Sequence, residues 1–282
     1  MCATLDCGIS GKPSPTALTL TLEQAATWRC CQGGGLVVDV GANFGWYTLY
    51  SLSLGCHALS FEPVPMWREV LSLGVALNRG FSARVRVVPL VVSNRRGAVT
   101  LAVPRPEAAD FERDGKLLLG MTGMVGPAGL LKGYRDDSRT VRVEANSTRL
   151  DDELAGSDAD VCMLKADVEG YEPQVVLTAK RLLRGRRVRA VQLELTRPRD
   201  PMQTQANIHM LSQLIVKNFS IRRIAMYRPE GGLVRDWRAQ SERMLASFPR
   251  FPRSGDSVAK AWANQFGLST NVLAVRETTA LL

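Results

Sequence analysis

Two short stretches concentrate the side chains able to do chemistry. LKADVEGYE, residues 164–172, brings Lys165, Asp167, Glu169 and Glu172 close together. An extended chain alternates its faces, so Lys165, Asp167 and Glu169 share one side while the chain remains extended. Carboxylates this close shift one another's proton affinity, and an ammonium beside them holds one ionised. That set is suited to taking a proton from a reacting group. Asp167 and Glu169 are the candidate bases, with Lys165 as the cation that positions them. The alternative role for Asp167 and Glu169 is to charge the N-terminus of the next helix, and the two roles can coexist.

The second stretch is LVVDVGANFGWYTLYSL, residues 36–52. A glycine turn between a buried strand and an apolar helix is how α/β proteins hold a nucleotide-like ligand. A dinucleotide fingerprint starting at Gly41 would need glycine at positions 43 and 46, where this chain has Asn43 and Trp46. No Gly-Lys-Ser/Thr follows, so the loop is not a Walker loop either. It is poorly made for a diphosphate. Glu62 ends the next strand-like run, about twenty residues after Gly41, where a carboxylate accepts hydrogen bonds from ribose hydroxyls. A ligand with a ribose but no pyrophosphate fits, and S-adenosylmethionine is such a ligand. Asp39 would fix the turn or meet the ammonium of the methionine part. The loop amides, with Gly41, Asn43 and Gly45, would receive its carboxylate at the helix N-terminus.

The elements that position these residues follow from the periodicity. Strands are expected at 36–40, 57–62, 83–92, 98–104, 188–195, 219–227 and 270–277, with a further strand opening 140–154 and a buried one running into the acids over 160–170. Helices are expected at 17–32, 44–54, 65–80, 171–183 and 203–217, with a short one after a cap at Ser147 or Thr148. This alternation predicts an α/β fold: an open, mainly parallel sheet with helices on both faces. Residues 1–16 read as an extended or frayed tail and 17–282 as one domain. The glycine-rich stretch 105–140 breaks the rhythm and reads as a lid or binding loop.

The chain has 282 residues, 45% of them hydrophobic, which is enough for one large core. No apolar run is long enough for a membrane span, and no basic-then-apolar leader opens the sequence, so the expected location is cytoplasmic. The net charge is +9, with the densest cluster at KRLLRGRRVR, residues 180–189. Cations at a helix C-terminus explain part of it, and no aromatic residues interleave to stack bases. The six cysteines include no C-x-x-C pair, and only His57 and His209 could add imidazoles, so no metal site is assigned. Cys56 and Cys162 read as core thiols in a reducing compartment. His57 sits at the start of its strand, the wrong end for a ligand mouth, and His209 is a reserve base on a late helix.

DVGANFGWYT, SFEPVP, STRLDDEL, LKADVEGYE and VQLELT, in that order over residues 20–200, resemble the FkbM-type methyltransferases, a class I S-adenosylmethionine-dependent family. The resemblance implies a Rossmann-like seven-stranded sheet with an antiparallel last strand. It also implies methyl transfer to oxygen, often a hydroxyl of a sugar or small molecule. It carries Asp39, Gly41, Asn43, Gly45 and Glu62 into the cofactor site, and Asp167 and Glu169 to the reaction mouth. Ala166 and Pro173 depart from the family pattern, but neither removes a motif group. A nucleic-acid methyltransferase using the basic surface is the alternative, although the chain has no Asn/Asp-Pro-Pro-aromatic motif and no Pro-Cys nucleophile. A non-catalytic cofactor-binding domain is the third reading.

Overall fold

In a computed structural model of the chain, the described residues are 20–104, 112–113, 116–117, 123–125, 140–157, 159–185, 187–195, 201–224, 226–227 and 270–276. The expected tail at 1–16 and most of 105–140 lie outside them.

In chain order the main elements begin with α1 (Leu22–Cys31), β1 (Leu36–Val40), α2 (Trp46–Ser53), β2 (His57–Phe61), α3 (Pro65–Ala76) and β3 (Val85–Val88). β4 (Leu90–Val92), β5 (Gly97–Pro104), β6 (Gly123–Val125), β7 (Thr140–Thr148) and α4 (Leu150–Glu153) follow. The chain continues with β8 (Val161–Ala166), α5 (Glu172–Thr178), α6 (Lys180–Arg184), β9 (Val188–Leu195), α7 (Pro201–Val216), β10 (Phe219–Ile224) and β11 (Thr270–Arg276).

Seven strands form the main sheet in the order β10-β11-β9-β8-β1-β2-β3. β9, β8, β1, β2 and β3 run parallel, and β11 is antiparallel to both β9 and β10. The expected α/β architecture, with an antiparallel last strand, is the observed one. The chain starts at β1, moves outward through β2 and β3, then returns to lay β8 on the other side of β1. The switch in strand order therefore falls between β1 and β8, where an open α/β sheet receives its ligand.

Both faces are covered, and this explains why the strands read as near-continuous apolar runs. Val37 and Met163 pack with α1 and α2 residues such as Ala26 and Tyr47. Val38, Leu164 and Val191 face the other way, against Val175, Leu183 and Leu211 of α5 to α7. One row breaks the apolar pattern. Ser60, Asp39, Lys165 and Gln192 are register partners across β2, β1, β8 and β9.

A second sheet, in the order β4-β7-β5-β6, shares no ladder with the first and packs on it through side chains such as Val92. The expected strand 83–92 is in fact two, because Pro89 has no N–H to continue a ladder. β3 belongs to the main sheet and β4 to the second one. β5 pairs with β7 rather than with the run before its turn. The helix expected at 171–183 divides at Ala179 into α5 and α6. The expected cap on α4 is absent. Thr148 Oγ1 donates to Glu153 Oε1 at 2.9 Å, and Ser147 Oγ donates to the Arg95 and Gly97 carbonyls at 2.8 and 3.0 Å. Arg149 stands at the N-cap.

Cys56 and Cys162 are core residues, but they are not thiols. Disulfides join Cys30 to Cys162 and Cys31 to Cys56 and fasten α1 to β8 and to the turn before β2. Disulfides persist in oxidising surroundings, so the cysteine pattern no longer argues for a reducing compartment. No helix among the described residues is long and apolar enough to cross a membrane.

Candidate active site

The loop after β1 turns three times through the left-handed region, at Gly41 (φ 78), Asn43 (φ 53) and Gly45 (φ 88). Gly41 also needs the absence of a side chain, since a Cβ there would stand 2.0 Å from the Asp167 carbonyl oxygen. Gly45 packs tightly on Leu71, which a Cβ would meet at 2.2 Å. Asparagine is among the non-glycine residues that tolerate this conformation best. The loop amides are bonded within the protein. Gly41 and Ala42 donate to the Phe61 carbonyl, Asn43 to Glu62, Phe44 to the Asn43 side chain, and Gly45 to the Ala42 carbonyl. The expectation that these amides wait for a ligand carboxylate is not met at positions 41–45. The buried end of β2 needs donors of its own and takes three of them.

Glu62 follows β2 and is 4% exposed. Its Oε2 accepts from Asn43 N at 2.7 Å and its Oε1 from Val64 N at 2.8 Å. Each oxygen keeps one lone pair for a further donor. Burial pushes this carboxyl up to about 7, against the two hydrogen bonds. Arg68 braces the bend by donating to the Glu62 and Pro63 carbonyls at 3.1 and 3.0 Å.

Asp39 lies beneath the loop and is fully buried. Its Oδ2 accepts from Thr48 Oγ1 at 2.7 Å, and Thr48 Oγ1 lies 2.7 Å from Ser60 Oγ. Thr48 spends its one proton on Asp39, so Ser60 is the donor to Thr48. The Lys165 ammonium is 3.4 Å from Asp39 Oδ1 and 3.5 Å from Asp167 Oδ2. Burial favours the neutral amine, but the two carboxylates outweigh it and hold Lys165 above its ordinary value. Asp39 thus anchors α2 through Thr48 and holds Lys165.

β8 stops at Ala166, and the motif continues as a turn rather than as extended chain. Glu169 is left-handed (φ 54) and reaches the mouth through that turn, not through strand alternation. Glu172 builds the turn. It is 1% exposed, and its Oε1 accepts from Val168 N and Gly170 N at 3.0 and 3.1 Å. Burial pushes it up to about 8 despite those bonds. Burial, then the Asp167 charge, pushes Glu169 up to about 7.

These elements enclose a cavity of about 220 Å³ at the carboxyl ends of the strands. Gly41, Asn43, Glu62, Asp167 and Glu169 line it, together with an acid that sequence reasoning passed over, Glu194. Asp39, Gly45 and Lys165 stand behind the wall. Leu90, Val91, Val92 and Leu101 of the second sheet, with Trp67, supply an apolar side. The Tyr171 hydroxyl, also at the wall, lies 3.3 Å from Ser93 Oγ and links the start of α5 to the end of β4. Burial, then the neighbouring Asp167 charge, pushes Glu194 up to about 8. Its one sequence signal was an acid near the end of an otherwise buried strand. His57 is at the opposite edge of the sheet, beside a different cavity, and His209 is exposed on α7. Among the described residues, no group of three or more His, Cys, Asp or Glu side chains is arranged to hold a metal ion.

The family model of the methyltransferase FkbM domain matches residues 39–225. No curated protein matches the sequence. Among solved structures, the chain is similar to methyltransferase FkbM from Methylobacillus flagellatus KT, with TM-score 0.45 and 12% identity over 86% of this chain and 43% of that one. It is similar to precorrin-6y C5,15-methyltransferase from Geobacter metallireducens GS-15, with TM-score 0.39 and 9% identity over 90% and 87%. It is also similar to the bifunctional kinase-methyltransferase WbdD, with TM-score 0.41 and 12% identity over 90% and 38%. The chain thus spans less than half the length of the Methylobacillus protein.

Proposed function

Because the chain belongs to the FkbM methyltransferase domain family, we propose that it transfers a methyl group from S-adenosylmethionine to a hydroxyl oxygen of a small molecule or sugar. The observation that carries this reading is one cavity walled by Glu62 on one side and by Asp167, Glu169 and Glu194 on the other. The donor set fits the cofactor. Glu62 has one free lone pair on each oxygen for the two ribose hydroxyls, and Phe61, Pro63 and Trp67 offer an apolar surface to a base. S-adenosylmethionine, when bound, supplies a methyl group already activated on a sulfonium.

The chain's own residues then have three tasks. Gly41 and Asn43 shape the floor, and the apolar wall excludes water from the reacting atoms. Lys165 holds Asp167 in place through their 3.5 Å ion pair. Asp167 or Glu169 accepts the hydroxyl proton as the new oxygen–carbon bond forms and the carbon–sulfur bond breaks. Residues 17–282 act in this reading as one domain.

The test pairs Asp167→Asn and Glu169→Gln with a panel of hydroxylated acceptors. Turnover should fall about 10²–10⁴-fold in the variant that has lost the base. Unchanged turnover in both variants removes the assignment. The nucleic-acid reading is weakened by how the basic run is used. Arg187 donates to the Ser157 and Ala159 carbonyls, Arg189 pairs with Asp160 at 3.3 Å, and Arg181 pairs with Asp152 at 3.4 Å. RNA binding that weakens steeply with salt would restore it.

A further inference from the structure

β8 and β9 run side by side with Lys165 opposite Gln192 and Ala166 opposite Leu193. Carried on by one residue, that register sets Asp167 beside Glu194. The two side chains line the same cavity at the ends of neighbouring strands, close enough for the Asp167 charge to raise Glu194. On its other flank Glu194 is the register partner of Asn271 in β11, an uncharged residue. Among the described residues, the charged groups facing Glu194 are Asp167, Glu169 and Lys165.

Two carboxyl groups set side by side in one cavity can meet by a hydrogen bond, and only if one of them keeps a proton. Lys165 decides which. Its ammonium lies 3.5 Å from Asp167 Oδ2, so the anion is stabilised on Asp167 and the proton is left to Glu194. We propose that Glu194 is a positioning residue for the methyl-transfer reaction: held as a neutral acid, it donates to Asp167 and aims that carboxylate into the cavity. Asp167 is then gripped from two strands, by Lys165 of β8 and Glu194 of β9, and keeps lone pairs for the acceptor proton. Burial and the Asp167 charge push Glu194 in the matching direction.

The inference rests on the methyl-transfer reading, but its test does not need an acceptor. The full chain is labelled with ¹³C at the glutamate carboxyl carbon, and the Glu194 signal is assigned by its loss in Glu194→Gln. That signal should titrate near pH 8 in the native chain. In Asp167→Asn its midpoint should fall by about one pH unit or more, toward the ordinary glutamate range near 4.3. Glu169→Gln should give a smaller fall, which provides a second reading if Asp167→Asn does not fold. A Glu194 signal that titrates in the ordinary range, or that neither substitution moves, overturns the proposal. Calorimetry with S-adenosylhomocysteine on the same samples tests the methyl-transfer reading separately: binding without the titration sinks only the role of Glu194.

Discussion

Gly41 and Asp167 meet where two loops from neighbouring strands cross, so closely that a Cβ on Gly41 would stand 2.0 Å from the Asp167 carbonyl oxygen. The floor of the cavity and its reactive edge are therefore one contact, and neither loop can shift alone.

Gly41→Ala should break that contact. The left-handed φ alone costs roughly 1–3 kcal/mol in a residue other than glycine, and the carbonyl overlap adds to it. Denaturant unfolding should show the loss, with S-adenosylhomocysteine binding abolished. Gly33→Ala is the control, because a Cβ there meets nothing within 4 Å. Equal stability of the two variants would refute the contact.

Lys165→Met should destabilise the chain by roughly 3–5 kcal/mol, because Asp39 is fully buried and would lose its counter-ion. Adding Asp39→Asn removes the stranded charge and should recover part of the loss. Unfolding midpoints of the single and double variants decide it. No recovery in the double variant would mean that the pair is not what Lys165 contributes.

Glu62 and Glu172 make stability depend on pH. Both carboxyls are raised from 4.5 by burial, to about 7 and about 8. Between those values the folded chain keeps protons that the unfolded chain has released. Their contribution is thus full below about 4.5 and is lost as pH rises through 7 to 8. Glu172→Gln keeps an acceptor for Val168 and Gly170, so it should fold normally and flatten the decline near pH 8. Glu172→Ala should lose the turn and with it the placement of Glu169.

Ligand affinity should run the other way. Ionised Glu62 is the better acceptor for ribose hydroxyls, so binding of S-adenosylhomocysteine should strengthen as pH rises through about 7. Glu62→Gln should weaken binding about tenfold or more and remove the pH dependence. A pH-dependent affinity that survives Glu62→Gln would point to another carboxyl.

The covalent pairing can be read directly. Non-reducing peptide mapping should recover Cys30 joined to Cys162 and Cys31 joined to Cys56. A reductant should lower unfolding stability by about 2–5 kcal/mol. Free thiols at these four positions in the native chain would refute the pairing.

Much of this was legible in the sequence because it rests on short-range pattern. The buried runs at 36–40, 161–166 and 188–195 show as strands through their apolar continuity. The glycine turn shows through Gly41 and Gly45, and the acid after β2 through its spacing. What was not legible depends on which strands become neighbours. Glu194 is a single acid in an apolar run, and only the β8–β9 register brings it to Asp167. The anchoring of Asp39 by Lys165 and Thr48 shows only once β8 and α2 are placed beside β1. The cysteines carry no spacing signal, since each disulfide joins segments that meet only when α1 docks on the sheet. The transfer of β4 to a second sheet turns on Pro89, whose sequence signal a long apolar run conceals.

That break at Pro89 gives the cavity two walls with separate obligations. The wall from β1, β2 and β8 is bound into the ion pair, the glycine contact and the Glu62 bonds, so few substitutions are open to it. The wall of Leu90, Val91, Val92 and Leu101 hangs on a sheet with no ladder to the main one. Its side chains still pack on the main core, Val92 among Val40, Phe61 and Val175, and Val91 and Leu101 beside Trp67. For a methyltransferase this places one wall on the ladder that carries the acids and the other on a sheet that reaches them through side-chain packing alone.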